Sequence, residues 1–148
     1  MKNKTIASWL TFLTGPLGLH RFYLYGLADG IGWAIPIPTA LGLYGMRRIG
    51  QFGVDDPWGW VLVPLLGFTV AGCALNAIVY GLMTSEQWNK RFNPVAAPDA
   101  IAGNTNWLTI GAVVCSLLIG ATSLMASIAF SFQHYFEHQI EAARKISQ

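Results

Sequence analysis

Two stretches of the chain, residues 58–83 and 107–132, contain no Asp, Glu, Lys, Arg or His, and each opens on tryptophan. A helix crosses roughly 30 Å of hydrocarbon with about 20 mostly apolar residues, and only a segment that pairs its own backbone groups can do so. Tryptophan is favoured where such a helix meets the headgroups. Both stretches are therefore predicted to be membrane-spanning helices. The front of the chain is less regular. Residues 6–19 are apolar but are broken by Gly15-Pro16 and run directly into His20 and Arg21. Residues 27–46 are long enough for a further span, yet Asp29 lies near their start and Pro36 and Pro38 in their middle. Proline removes a backbone donor, so this helix is expected to kink or unwind locally. The expected fold is all-α, an integral membrane helical bundle of about four transmembrane helices in two hairpins, with a re-entrant front pair as the alternative. Residues 1–52 form the first hairpin, residues 53–135 the second, with an outward loop at 84–106, and residues 136–148 a polar tail.

Composition strengthens the membrane reading. Of 148 residues, 53% are hydrophobic and 11% charged, against about a quarter charged in ordinary soluble domains. The nine Lys and Arg are spread over tails and connections and the net charge is only +2, so no basic face suggests nucleic acid. With four spans, one side carries Lys2, Lys4, Arg47, Arg48, Arg144 and Lys145, and the other Arg21, Lys90 and Arg91. The positive-inside rule then puts both termini in the cytoplasm. The N-terminal run has the outline of a secretory signal, but no small-residue cleavage site leads into a polar chain, and it is read as a retained first span. Cys73 and Cys115 each sit inside an apolar segment, where free cysteine packs as a small hydrophobe.

Membrane helices associate through small residues that let backbones approach. In the last span Ala112, Ser116, Gly120, Ser123 and Ser127 recur at spacings of four, four, three and four, which puts them on one helical face. Ser8, Thr11, Gly15 and Gly18 form a similar stripe in the first span, and Gly67, Ala71 and Ala74 in the third. These stripes are expected to be packing surface rather than a substrate groove.

The most distinctive string runs from Gly15 through Gly18, His20, Arg21, Phe22, Tyr23 and Leu24 to Gly26. It resembles the signature of the TM2 domain family, small membrane proteins built on two helices joined by a short turn. In this chain Tyr25 stands before Gly26, which lengthens the turn by one residue. The family's second helix commonly leads into a tryptophan-rich stretch with an aspartate, a place that only Asp55 or Asp56 can take here. The resemblance covers the first third of the chain, and the loop from Trp88 to Pro94 resembles that of longer bacterial members. It implies a bacterial inner-membrane location and no enzymatic chemistry. Physically, Arg21 can reach a lipid phosphate or a carboxylate. Asp29 is its expected partner, since an ionisable residue near the membrane interior should be paired. The alternative is that Arg21 only snorkels to headgroups and Asp29 caps a helix.

Other chemistry is thin. His134 and His138 fall in an H-x-x-E-H pattern and share a helix face, which makes them weak metal candidates without a third protein ligand. No nucleophile elbow or phosphate-binding glycine loop occurs, and no cofactor is expected. The expected function is that of a scaffold or accessory subunit that binds a membrane-protein partner, or itself, through helix–helix contacts in the lipid bilayer. The alternative is a homo-oligomer that conducts an ion or solute.

Overall fold

A computed structural model describes residues 1–146; the last two residues of the expected 136–148 tail lie outside it. The described chain is helical throughout, as α1 (Lys4–Thr14), a 3-10 turn (Gly15–Leu17), α2 (Leu19–Tyr25), α3 (Gly30–Ala34), α4 (Pro36–Phe52), α5 (Pro57–Leu82), α6 (Ser85–Phe92), a second 3-10 turn (Ile101–Gly103) and α7 (Trp107–Ile146). Two helical segments are long and apolar enough to cross a membrane: Pro57–Leu82, with mean hydropathy 2.0, and Ile101–Ile146, with 2.1. Only 22% and 17% of their apolar windows are buried, so their greasy surface faces outward, unlike the core helix of a soluble protein.

The front of the chain departs from the expected spanning hairpin. The 11 residues of α1 rise about 16 Å, half of a hydrocarbon core. The chain then reverses at Gly18, whose φ of 77° is left-handed and suits glycine because a side chain would collide with its own backbone. A Cβ there would also strike the carbonyl oxygen of Gly32. Helix α2 runs back to where α1 began, so that the Asn3 N–H donates to the Tyr23 hydroxyl at 2.9 Å. Helices α3 and α4 follow as one rod broken at Ile35, because Pro36 and Pro38 lack the N–H groups that would close the ladder. Thr39 bridges the break, donating to Ile35 O at 3.3 Å and to Pro16 O at 2.8 Å. Together they cover 23 residues, about 34 Å.

Helix α5 returns and α7 packs along it. At Gly120 a Cβ would lie 2.6 Å from that of Ala74, and at Gly67 it would strike Ser127 Oγ. The expected packing face of Ser116, Gly120, Ser123 and Ser127 is thus turned onto α5. Helix α6 and its flanking loops lie over the near end, where the N-terminus is. Trp88 is fully buried there, and its indole donates to Lys2 O at 2.9 Å. Asn93 Nδ2 also donates to Lys2 O.

Two of the basic residues counted toward orientation are consumed in this packing. Lys4 is fully buried and its Nζ donates to Met83 O at 2.8 Å, at the C-terminus of α5. Lys2 Nζ donates to Leu24 O in the last turn of α2. Each lysine supplies a cation to a helix end whose carbonyls lack partners. Because α1 and α2 double back, Lys2 and Ile146 lie at opposite ends of the bundle. Lys2, Lys4, Arg21, Lys90 and Arg91 belong to the near end, and Arg47, Arg48, Arg144 and Lys145 to the far end. Five against four replaces six against three and leaves the positive-inside rule nothing to act on.

Candidate functional site

The expected pair forms. Arg21 Nε donates to Asp29 Oδ2 at 2.5 Å and its terminal nitrogen to Oδ1 at 3.0 Å, the two-pronged geometry in which guanidinium binds carboxylate best. Asp29 is also the N-cap of α3, accepting from the Gly32 N–H at 2.8 Å. Pairing and capping, posed as alternatives, are performed by one carboxylate. Gly26 turns the chain with φ 88°. The Trp33 indole donates to Leu27 O at 3.1 Å, and its ring lies 5.1 Å from that of Phe22. Gly32 leaves room for Phe22, whose ring would stand 2.5 Å from a Cβ placed there. Gly15 performs the same service for Cys73 at 2.5 Å.

The same turn is built a second time at the far end. Arg48 donates through Nε and a terminal nitrogen to Asp56 at 2.8 and 2.7 Å. Asp56 caps α5, accepting from the Gly59 N–H at 2.8 Å. Gly53 has φ 90°, and the Trp60 indole donates to Val54 O at 2.7 Å. Even the cation–aromatic contact recurs, with Arg21 4.7 Å above Tyr25 and Arg48 4.9 Å above Phe52. Gly15, Gly18, Arg21, Tyr25, Gly26, Asp29, Gly32 and Trp33 thus correspond, at a constant offset of 27, to Gly42, Gly45, Arg48, Phe52, Gly53, Asp56, Gly59 and Trp60. The pattern G-x2-G-x2-R-x3-(aromatic)-G-x2-D-x2-G-W was present in the sequence, and self-comparison at that offset would have found it. Asp55-Asp56 beside Pro57 reads as an acidic pair that offsets Arg47 and Arg48 and supports a turn, but each charge has a like-charged neighbour and only the eight-residue spacing tells that Arg48 and Asp56 are the two that pair. Arg48's hydrogen bonds hold the Asp56 carboxyl below the ordinary carboxylate range, against the opposing effect of burial.

The two turns differ in their surroundings. At the near end Arg91 donates to the Tyr25 hydroxyl at 3.3 Å, adding a second guanidinium. His20 is buried beside Arg21, and its Nδ1 has no hydrogen-bond partner. At the far end Arg48 reaches the Tyr44 hydroxyl at 3.5 Å.

The remaining candidates separate. Ser116 is buried with its hydroxyl unpartnered, whereas eight other Ser and Thr hydroxyls bond the carbonyl four residues back. His134 stacks on Trp60 with ring centroids 4.0 Å apart and stands 3.4 Å from Glu137; His138 is exposed. Among the described residues no group of three His, Cys, Asp or Glu is placed to hold a metal.

No family model, curated protein or solved structure matches the chain.

Proposed function

We propose that the protein is a small multi-pass membrane protein, an accessory or scaffold subunit that catalyses no reaction and binds a membrane partner through helix–helix contacts. In this reading α3–α4, α5 and α7 cross the bilayer, and α1–α2 enter it to half depth from the near side. The outward-facing apolar surface of α5 and α7 supports the membrane assignment. The resemblance to the TM2 domain family supports a bacterial inner membrane.

The observation that carries the partner is the length of α7. Its 40 residues rise about 60 Å, twice the hydrocarbon thickness. Beyond His134, which stacks on Trp60 of α5, a dozen described residues are all exposed. Phe132, two residues before His134, and Tyr135, Phe136 and Ile140 of that segment are all more than half exposed and fall at the spacing of one helical face. Asn76 adds a carboxamide on the exposed side of α5, of the kind that binds helices across a membrane. A conducting pore is less well supported, because Thr122, Ser127 and Ser131 of α7 turn their hydroxyls onto their own helix carbonyls and Ser116 is buried.

A photo-crosslinker at Phe136 should give one discrete adduct in cells, lost on Phe132→Asp with Ile140→Asp. The same probe at Leu118, on the flank of α7, should give none. Equal, diffuse labelling at both positions would contradict the reading.

A further inference from the structure

Along the outer face of α5, Phe68, Gly72, Leu75, Ile78, Val79 and Leu82 line a continuous furrow. Its deeper part, about 400 Å3, is walled by α7, and its upper part, about 520 Å3, opens at Gln87 and Arg91 of α6. The two parts meet at Ile78. From Leu82 to Phe68 the helix descends about 21 Å, more than the roughly 15 Å of hydrocarbon in one leaflet. The walls are mostly aliphatic and aromatic, the hydroxyl at depth being that of the buried Ser116, and the charged and carboxamide groups are confined to the mouth. No carboxylate lines that mouth. Arg91 uses one N–H on Tyr25, whose ring also lies under Arg21, and guanidinium has five donors suited to a phosphate.

We propose that this furrow binds one anionic phospholipid, with an acyl chain along the α5 face and the headgroup phosphate on Arg91, flanked by Gln87. The proposal rests on the membrane reading above. A partner helix fits less well: running up the furrow it would bring apolar side chains against Arg91, whereas a phospholipid carries the complementary charge at the required level.

The test uses the full chain in a neutral mild detergent, with retained phosphatidylglycerol and phosphatidylcholine counted by native mass spectrometry. Phosphatidylglycerol should be retained in preference by about five-fold, the effect of one interfacial arginine, and Arg91→Gln should bring the two lipids to parity. Gly72→Leu supplies a second variant, since a Cβ at Gly72 meets nothing within 4 Å. It should leave the melting temperature of the lipid-free protein unchanged and still abolish retention. Millimolar inorganic phosphate should fail to displace the lipid. Equal retention of both lipids, undiminished retention in Gly72→Leu, displacement by phosphate alone, or a polypeptide released by Gly72→Leu in place of lipid would each overturn the proposal. Carbonate extraction separates the two levels: release of the chain from membranes would sink the membrane reading, whereas a retained chain without lipid preference sinks only the site.

Discussion

The near-end and far-end turns match at eight positions in register, seven of them identical and one aromatic in both, and make the same hydrogen bonds, yet their settings differ. The near turn lies beside α6 and the buried Trp88, with Arg91 reaching its Tyr25. The far turn joins two long helices directly, and its Trp60 is stacked on by His134 of α7. The comparison teaches that the local pattern suffices to build the turn. One copy follows an ascending helix and the other a descending one, so the module is indifferent to which end of the bundle it occupies. Recruitment of additional groups, Arg91 above all, makes the near copy a candidate for binding.

The largest expected effect comes from stripping the near turn of its support. Trp88→Ala should cost about 3 to 5 kcal/mol, as for other buried tryptophans. Hydrogen exchange should then accelerate at the Gly32 amide and far less at the Gly59 amide. Equal acceleration would mean that the two ends unfold together.

Next are the equivalent glycines. Gly18→Ala meets both a left-handed backbone and the Gly32 carbonyl, and the backbone alone costs about 1 to 2 kcal/mol. Gly45→Ala meets only close packing, with Leu62 Cβ 2.6 Å away, an overpacking cost of about 1 to 3 kcal/mol. Gly18→Ala should melt at the lower temperature, and the reverse order would break the parallel.

Both pairs should also prove coupled. In thermal melts, Arg21→Ala with Asp29→Ala, and Arg48→Ala with Asp56→Ala, should each hurt less together than the sum of the single changes, as interacting residues do. Additivity at one end only would show that the copies have diverged in energetics.

The smallest expected effect is the acid response of the far turn. The folded Asp56 carboxyl holds its proton less tightly than the unfolded one, so the unfolded chain takes up the proton first. The pair's contribution is complete above about pH 3.9, the ordinary aspartate value, and is lost as pH falls through the lower folded value. Asp56→Asn should flatten that part of the stability profile, and an unchanged profile would remove Asp56 as its source.

Much of this was legible in the sequence. The charge-free stretches emerge as nearly the whole of α5 and the first two-thirds of α7, because nothing but a helix pairs so long an apolar run. Arg21 and Asp29 were readable as partners from eight residues of separation across a glycine turn, and the break at Pro36 from the missing donor. Less legible was the depth of the first hairpin. Gly15-Pro16 marks an interruption, but only the left-handed Gly18 seated on Gly32 turns it into a reversal. Lys2 and Lys4 look like free interfacial charges until α2 and α5 bring their terminal carbonyls to them, a long-range contact that no local pattern encodes. The helical face shared by His134 and His138 already pointed to helix beyond Phe132, but not to its extent, which reaches Ile146 because no glycine or proline stops it.

The central claim is the proposed membrane arrangement, a half-depth front hairpin and three crossings, with equivalent turns at the two ends of the bundle. Sidedness tests it most directly. An epitope fused to the N-terminus and single cysteines at the exposed positions Ala28 and Asp55, in a background with Cys73 and Cys115 replaced by alanine, can be probed from each face of sealed membranes. The account predicts the epitope and position 28 on one face and position 55 on the other. An epitope on the same face as position 55, with position 28 opposite, would restore a fully spanning first helix and contradict it.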